Sequence, residues 1–118
     1  LRAFQAAGGK LISWHGMADT IIPPAGTTAY YQRVLQATNN TIDFYCHFET
    51  PGVGHCVSGA AGLPERALGQ LMAWVERGKE PEVLLASKSR SNISLCPWPK
   101  RRVYVGPDPK VVGSFICA

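Results

Sequence analysis

The chain has 118 residues, 46% hydrophobic and 17% charged, with a net charge of +4. That length allows one domain and not two, and the composition is that of a folded soluble protein rather than a disordered one. The basic residues are scattered apart from Lys100-Arg101-Arg102, which lacks the interleaved aromatics of a nucleic-acid platform and reads as a solvated turn. No apolar run approaches the ~18 residues that cross a bilayer.

The first residues, Leu1–Ala7, have a helical pattern, and Lys10–Trp14 (KLISW) follows almost at once as a short buried strand. A chain that begins so abruptly, without Met or a leader, is expected to be a cleaved product or one piece of a larger polypeptide. The loop from His15 to Pro23 carries Asp19, and Pro23-Pro24 supplies a helix start, because proline suits the first helical turn. Ala25–Ala37 reads as that helix. Thr41–Glu49 alternates, with Ile42, Phe44, Cys46 and Phe48 on one side and Asp43, Tyr45, His47 and Glu49 on the other. That period of two predicts a strand.

Pro51-Gly52-Val53-Gly54-His55-Cys56 is a loop by its proline and glycines. A second helix is expected from about Pro64 to Arg77, with Leu68, Leu71, Met72 and Val75 on its inward stripe and Gly78 as its cap. Residues 1–81 thus read as strand, loop with an Asp, helix, strand, loop with a His, helix. Two parallel strands joined by a crossover helix need further strands to be buried on both faces, so the chain is expected to fold against a partner segment. Residues 82–118, with prolines at 97, 99, 107 and 109, are expected to form an irregular tail packed on the same domain. A Cys96–Cys117 disulfide would close it, and a loop of about 20 residues contributes roughly 3 kcal/mol.

Asp19 and His55 both follow predicted strands, where open α/β sheets place their active sites. Acid before base, with one helix and one strand between them, is the chain order of an α/β-hydrolase triad. In such a triad the imidazole takes the serine proton and returns it to the leaving alcohol, while the carboxylate fixes the tautomer. The nucleophile itself is missing. No G-x-S-x-G occurs, and Ser58 follows the histidine without the strand and glycine that a nucleophile elbow requires. A zinc site built on His15, His47 and His55 matches no ligand spacing, and none of the four cysteines (46, 56, 96 and 117) forms a C-x-x-C pair. Two sequons, at Asn39 and Asn92, together with the cysteines, favour an oxidising extracellular compartment.

Three segments carry a family resemblance: Gly8-Gly9-Lys10-Leu11-Ile12-Ser13-Trp14-His15-Gly16-Met17-Ala18-Asp19 with Ile22-Pro23-Pro24, Pro51-Gly52-Val53-Gly54-His55-Cys56, and Trp74-Val75-Glu76-Arg77-Gly78-Lys79-Glu80-Pro81. Over nearly the whole chain the sequence resembles the C-terminal part of the catalytic domain of tannases and feruloyl esterases. The resemblance implies an α/β-hydrolase fold whose remaining strands and lid lie on a segment outside this chain. It implies Asp19 as triad acid, His55 as general base and a nucleophilic serine in an upstream Cys-Ser pair. That upstream cysteine would be disulfide-bonded to Cys56. Cys96 and Cys117 match the family's C-terminal pair. Cys46 departs from the pattern, as a buried free thiol or the partner of an upstream cysteine. His15 and Ile22 occupy positions that relatives place near the bound aromatic acid, although for His15 a structural hydrogen bond at the strand end is an equal reading. A structural calcium ion would belong to the lid, since no D-x-D-x-D-G loop occurs here.

The expected activity is hydrolysis of feruloyl (hydroxycinnamoyl) esters of plant cell-wall polysaccharides through an acyl-serine, in a secreted enzyme. Hydrolysis of galloyl esters, and a non-catalytic light chain of a processed enzyme, are the alternatives.

Overall fold

The computed structural model describes residues 1–59, 61–88 and 91–118. Its centre is a strand–helix–strand unit: β1 (Leu11–Gly16), α2 (Pro24–Ala37) and β2 (Tyr45–Thr50), preceded by a short α1 (Arg2–Ala6). β1 and β2 pair in parallel, with Leu11 opposite Tyr45 and Gly16 opposite Thr50. Both strands therefore end at the same edge, and the acid and histidine loops leave side by side.

β2 is buried on both faces, as strands of parallel sheets are. Tyr45 packs with Tyr31 and Val34 of α2, with Leu11 and Trp98 around them. Cys46 and Phe48, pointing the other way, pack with Trp74, Leu84, Ala86 and Leu95. The alternation predicted from Thr41 begins only at Tyr45. Residues Thr41–Asp43 form a 3-10 turn, Ile42 is exposed, and Phe44 joins the α2 side rather than the Cys46 side. Asn40 in the left-handed region makes this turn, and the chain is not extended until it has passed it.

α3 runs from Ala67 to Arg77, starting after a turn at Pro64, and Gly78 caps it with φ 65°. Its inward stripe is Ala67, Leu71 and Trp74, while Leu68, Met72 and Val75 are exposed. The expected stripe was rotated because the large indole of Trp74, which contributes the most area, faces the core. Lys10 also lies over that ring at 5.3 Å.

The tail is not irregular. β3 (Leu84–Lys88) and β4 (Ser91–Leu95) form one antiparallel pair, and β5 (Arg102–Tyr104) and β6 (Phe115–Cys117) form another. Strands of three to five residues divided by prolines are too short to leave a readable period in the sequence. Cys96 and Cys117 are disulfide-bonded, with Cα atoms 5.5 Å apart. The segment between the two hairpins runs beside β2, where Phe48 bridges Pro97 and the Trp98 N–H donates to the His47 carbonyl. The outer edge of β2 is thereby covered. Among the described residues, β1 pairs with β2 alone, so its other edge has no strand beside it.

Candidate active site

β1 ends at Gly16, where the acid loop meets the histidine loop backbone to backbone. A Cβ on Gly16 would overlap the Val53 carbonyl, so only glycine allows the approach. The Met17 N–H donates to the Thr50 carbonyl and the Ala18 N–H to the Val53 carbonyl, both at 2.9 Å. These two bonds stitch the loops together before either reactive side chain is reached.

Asp19 then turns back on its own loop. Its Oδ1 accepts the N–H groups of Ile21 and Ile22, each at 2.9 Å. Its Oδ2 accepts from His55 Nδ1 at 3.0 Å and lies 3.4 Å from His15 Nε2. The Asp19 side chain is 7% exposed and that of His55 31%. The Ile22 N–H is the largest influence holding the Asp19 carboxyl well below the usual carboxylate range. Burial works against it, and the Ile21 N–H and His55 add to the lowering. Asp19 is thus an ionised acceptor at neutral pH. An Nδ1–H directed at a carboxylate fixes His55 as the tautomer whose Nε2 is a free acceptor. Among the described residues, no hydrogen bond engages that Nε2. His55 lines a shallow cavity together with Trp14, His15, Gly16, Asp19, Gly54 and Cys56.

The histidine loop is held differently. Gly52 takes φ 74°, Val53 bridges Gly59, and the Gly54 N–H donates to the Ser58 carbonyl at 2.7 Å. Within this collar Cys56 (φ 48°) and Val57 (φ 64°) both lie in the left-handed region, which is unfavourable for a side chain with a branched Cβ. Cys56 is exposed and its thiol is free.

His15 stands beside the pair with both ring nitrogens engaged: Nδ1 lies 2.7 Å from the Thr27 hydroxyl and Nε2 lies 3.2 Å from the Ile22 carbonyl. Ile22, next to the acid, is 54% exposed. His47 is not part of the site. It is fully buried on β2, with Nδ1 2.9 Å from the Ser13 hydroxyl, which is itself 2.9 Å from the Tyr45 hydroxyl. Among the described residues, no group of three or more His, Cys, Asp or Glu could hold a metal ion. Cys46 is a buried free thiol, raised to about 12 by burial and then by Glu80. Asn39 and Asn92 are both exposed.

Sequence reading missed Thr27, a helix residue with no motif around it, and the buried Ser13–His47 contact. The second was findable in principle, because Ser13 and His47 are cross-strand partners once the register is known.

The profile described as "Tannase and feruloyl esterase" matches residues 1–118. The chain belongs to the tannase and feruloyl esterase family. A probable feruloyl esterase of Arthroderma benhamiae is 35% identical over 130 residues, covering 100% of this chain and 24% of the relative. The crystal structure of feruloyl esterase B from Aspergillus oryzae superposes with a TM-score of 0.86 at 27% identity, over 99% of this chain and 28% of that one. The tannin acyl hydrolase of Aspergillus niger superposes with a TM-score of 0.81 at 26% identity, over 99% and 24%. The chain therefore has the mixed helix–strand fold of this esterase family and spans about a quarter of the length of the relatives it matches.

Proposed function

We propose that this chain supplies the acid, Asp19, and the general base, His55, of a serine carboxylic-ester hydrolase. The observation that carries the reading is the 3.0 Å bond from His55 Nδ1 to Asp19 Oδ2, which leaves Nε2 as the acceptor on a ring that lines a cavity. In the proposed reaction, a serine from a segment outside this chain approaches Nε2 and loses its proton to it while attacking the ester carbonyl. The imidazolium, stabilised by Asp19, protonates the leaving alcohol. The same imidazole then activates the water that releases the acyl group from serine.

The chain is, in this reading, the C-terminal portion of an α/β-hydrolase domain, with residues 82–118 packed on residues 1–81. The unpaired edge of β1 supports this, since an upstream strand would continue the parallel sheet there. The upstream segment also brings a lid, with a structural calcium ion, and a Cys-Ser pair whose cysteine bonds Cys56. The exposed thiol of Cys56 is in keeping with such a bond. The enzyme is secreted, with Asn39 and Asn92 as glycosylation positions.

Feruloyl (hydroxycinnamoyl) esters of cell-wall polysaccharides are the proposed substrates, supported by the name of the A. benhamiae relative and of the A. oryzae structure. The exposed apolar side chain of Ile22 beside the acid suits contact with an aromatic acyl group. Galloyl esters are the second reading, favoured by the likeness to the tannin acyl hydrolase. Methyl ferulate and methyl gallate hydrolysis by the full-length protein separates the two, with ferulate expected to be preferred. His55→Ala in that protein is expected to lower kcat by about 10⁴-fold, because triad members act as a unit. Turnover within tenfold of wild type would overturn the role of His55.

A further inference from the structure

We propose that His15 is a positioning residue for the acid: its ring holds Asp19 and the Ile22 carbonyl in place and is itself anchored by Thr27. The inference rests on the proposed role of Asp19 and His55 and adds a third side chain to that site.

Hydrogen-bond chemistry decides the state of the ring. Nε2 faces two acceptors, the Ile22 carbonyl at 3.2 Å and Asp19 Oδ2 at 3.4 Å. A lone pair there would be repelled by both oxygens, so the geometry requires a proton on Nε2. In the neutral ring Nδ1 is then an acceptor, and the Thr27 hydroxyl at 2.7 Å is its donor. Neither nitrogen is left for a substrate.

The carboxylate is thereby surrounded. Oδ1 takes two backbone N–H groups, and Oδ2 takes His55 on one side and has His15 on the other. Holding the Ile22 carbonyl also fixes the peptide that follows the Ile22 N–H, the donor that most strongly lowers Asp19. The Thr27–His15 bond spans from α2 to β1, the two elements between which the acid loop is strung. Neighbouring Thr28 makes a parallel contact from the same helical turn, donating to Glu49 of β2 at 3.0 Å. One turn of α2 thus fastens the ends of both strands.

The test compares His15→Phe, which keeps a planar ring without donors, with His15→Gln, whose amide can donate and accept. A third variant is Thr27→Val, and all are made in the full-length protein. His15→Phe is expected to lower kcat by roughly 10- to 100-fold with KM nearly unchanged, and His15→Gln to recover most of the loss. Thr27→Val is expected to lower kcat several-fold, and the His15→Phe/Thr27→Val double variant to be no worse than His15→Phe alone. The downfield proton NMR signal of His55 Nδ1–H, which needs no substrate, is expected to shift or broaden in His15→Phe and to persist in His15→Gln.

A raised KM with unchanged kcat in His15→Phe would make His15 a substrate contact instead. An unchanged NMR signal, or losses that multiply in the double variant, would also overturn the proposal. Should His15→Phe fail to fold, Thr27→Val with wild-type kcat and an unaltered signal would suffice to overturn it. Activity surviving His55→Ala would instead sink the catalytic reading, and the NMR comparison would still decide whether His15 holds the pair.

Discussion

The acid loop and the histidine loop leave adjacent strands, yet they are built on opposite plans. In the first, Asp19 is over-determined: two backbone N–H groups, two imidazoles and a proline-started helix fix it from every side. In the second, His55 sits on a glycine collar with Cys56 and Val57 in left-handed conformations, and Cys56 is exposed. A carboxylate that only orients and stabilises benefits from immobility. In the proposed reaction the base must accept and return a proton beside a hydroxyl from elsewhere, and the loop that carries His55 stores strain of the kind found at functional sites. The rigid loop therefore acts as the template for the strained one, through Gly16 and the Ala18–Val53 bond.

That template is most sharply tested at Gly16. Gly16→Ala must push the Val53 carbonyl away, which is expected to cost about 1–3 kcal/mol of stability and to lower kcat by separating the loops. Urea denaturation and ester hydrolysis of the full-length variant check both, and unchanged stability would mean that the loops are not in contact there. A smaller effect of opposite sign is expected at Val57. Val57→Gly relieves a left-handed β-branched residue and, after the added chain entropy, is expected to stabilise by about 0.5–1 kcal/mol. A destabilised variant would show that the histidine loop is not strained.

The smallest effect is one of pH. Burial lowers the pKa of His47, and backbone N–H groups lower that of Asp19. In both cases the unfolded chain binds more protons than the folded one in acid, so stability falls as pH falls. The loss starts near pH 6.5 for His47 and near pH 3.9 for Asp19, their ordinary values. His47→Gln is expected to flatten the upper step of a urea-midpoint profile between pH 8 and 5, and an unaltered profile would mean that His47 is not buried neutral.

Much of this site was legible in the sequence because it depends on short-range features. Asp19 and His55 follow apolar runs and stand beside glycines and prolines, so strand ends could be located and the pair inferred. What was not legible depends on packing. The inward face of α3 turns on Trp74, which a stripe of Leu68, Met72 and Val75 hides. The hairpins of the tail depend on strands of three to five residues with no lasting period. Thr27 acquires its role only when α2 folds back over β1, and no local pattern marks it.

The coupling between Asp19 and His55 is most directly measured by a double-mutant cycle on kcat for methyl ferulate hydrolysis by the full-length protein. Asp19→Asn alone is expected to lower kcat by about 10⁴-fold, and Asp19→Asn/His55→Ala to be scarcely worse than His55→Ala alone. Losses that multiply, or an Asp19→Asn variant near wild-type turnover, would show that the two side chains do not work as a pair.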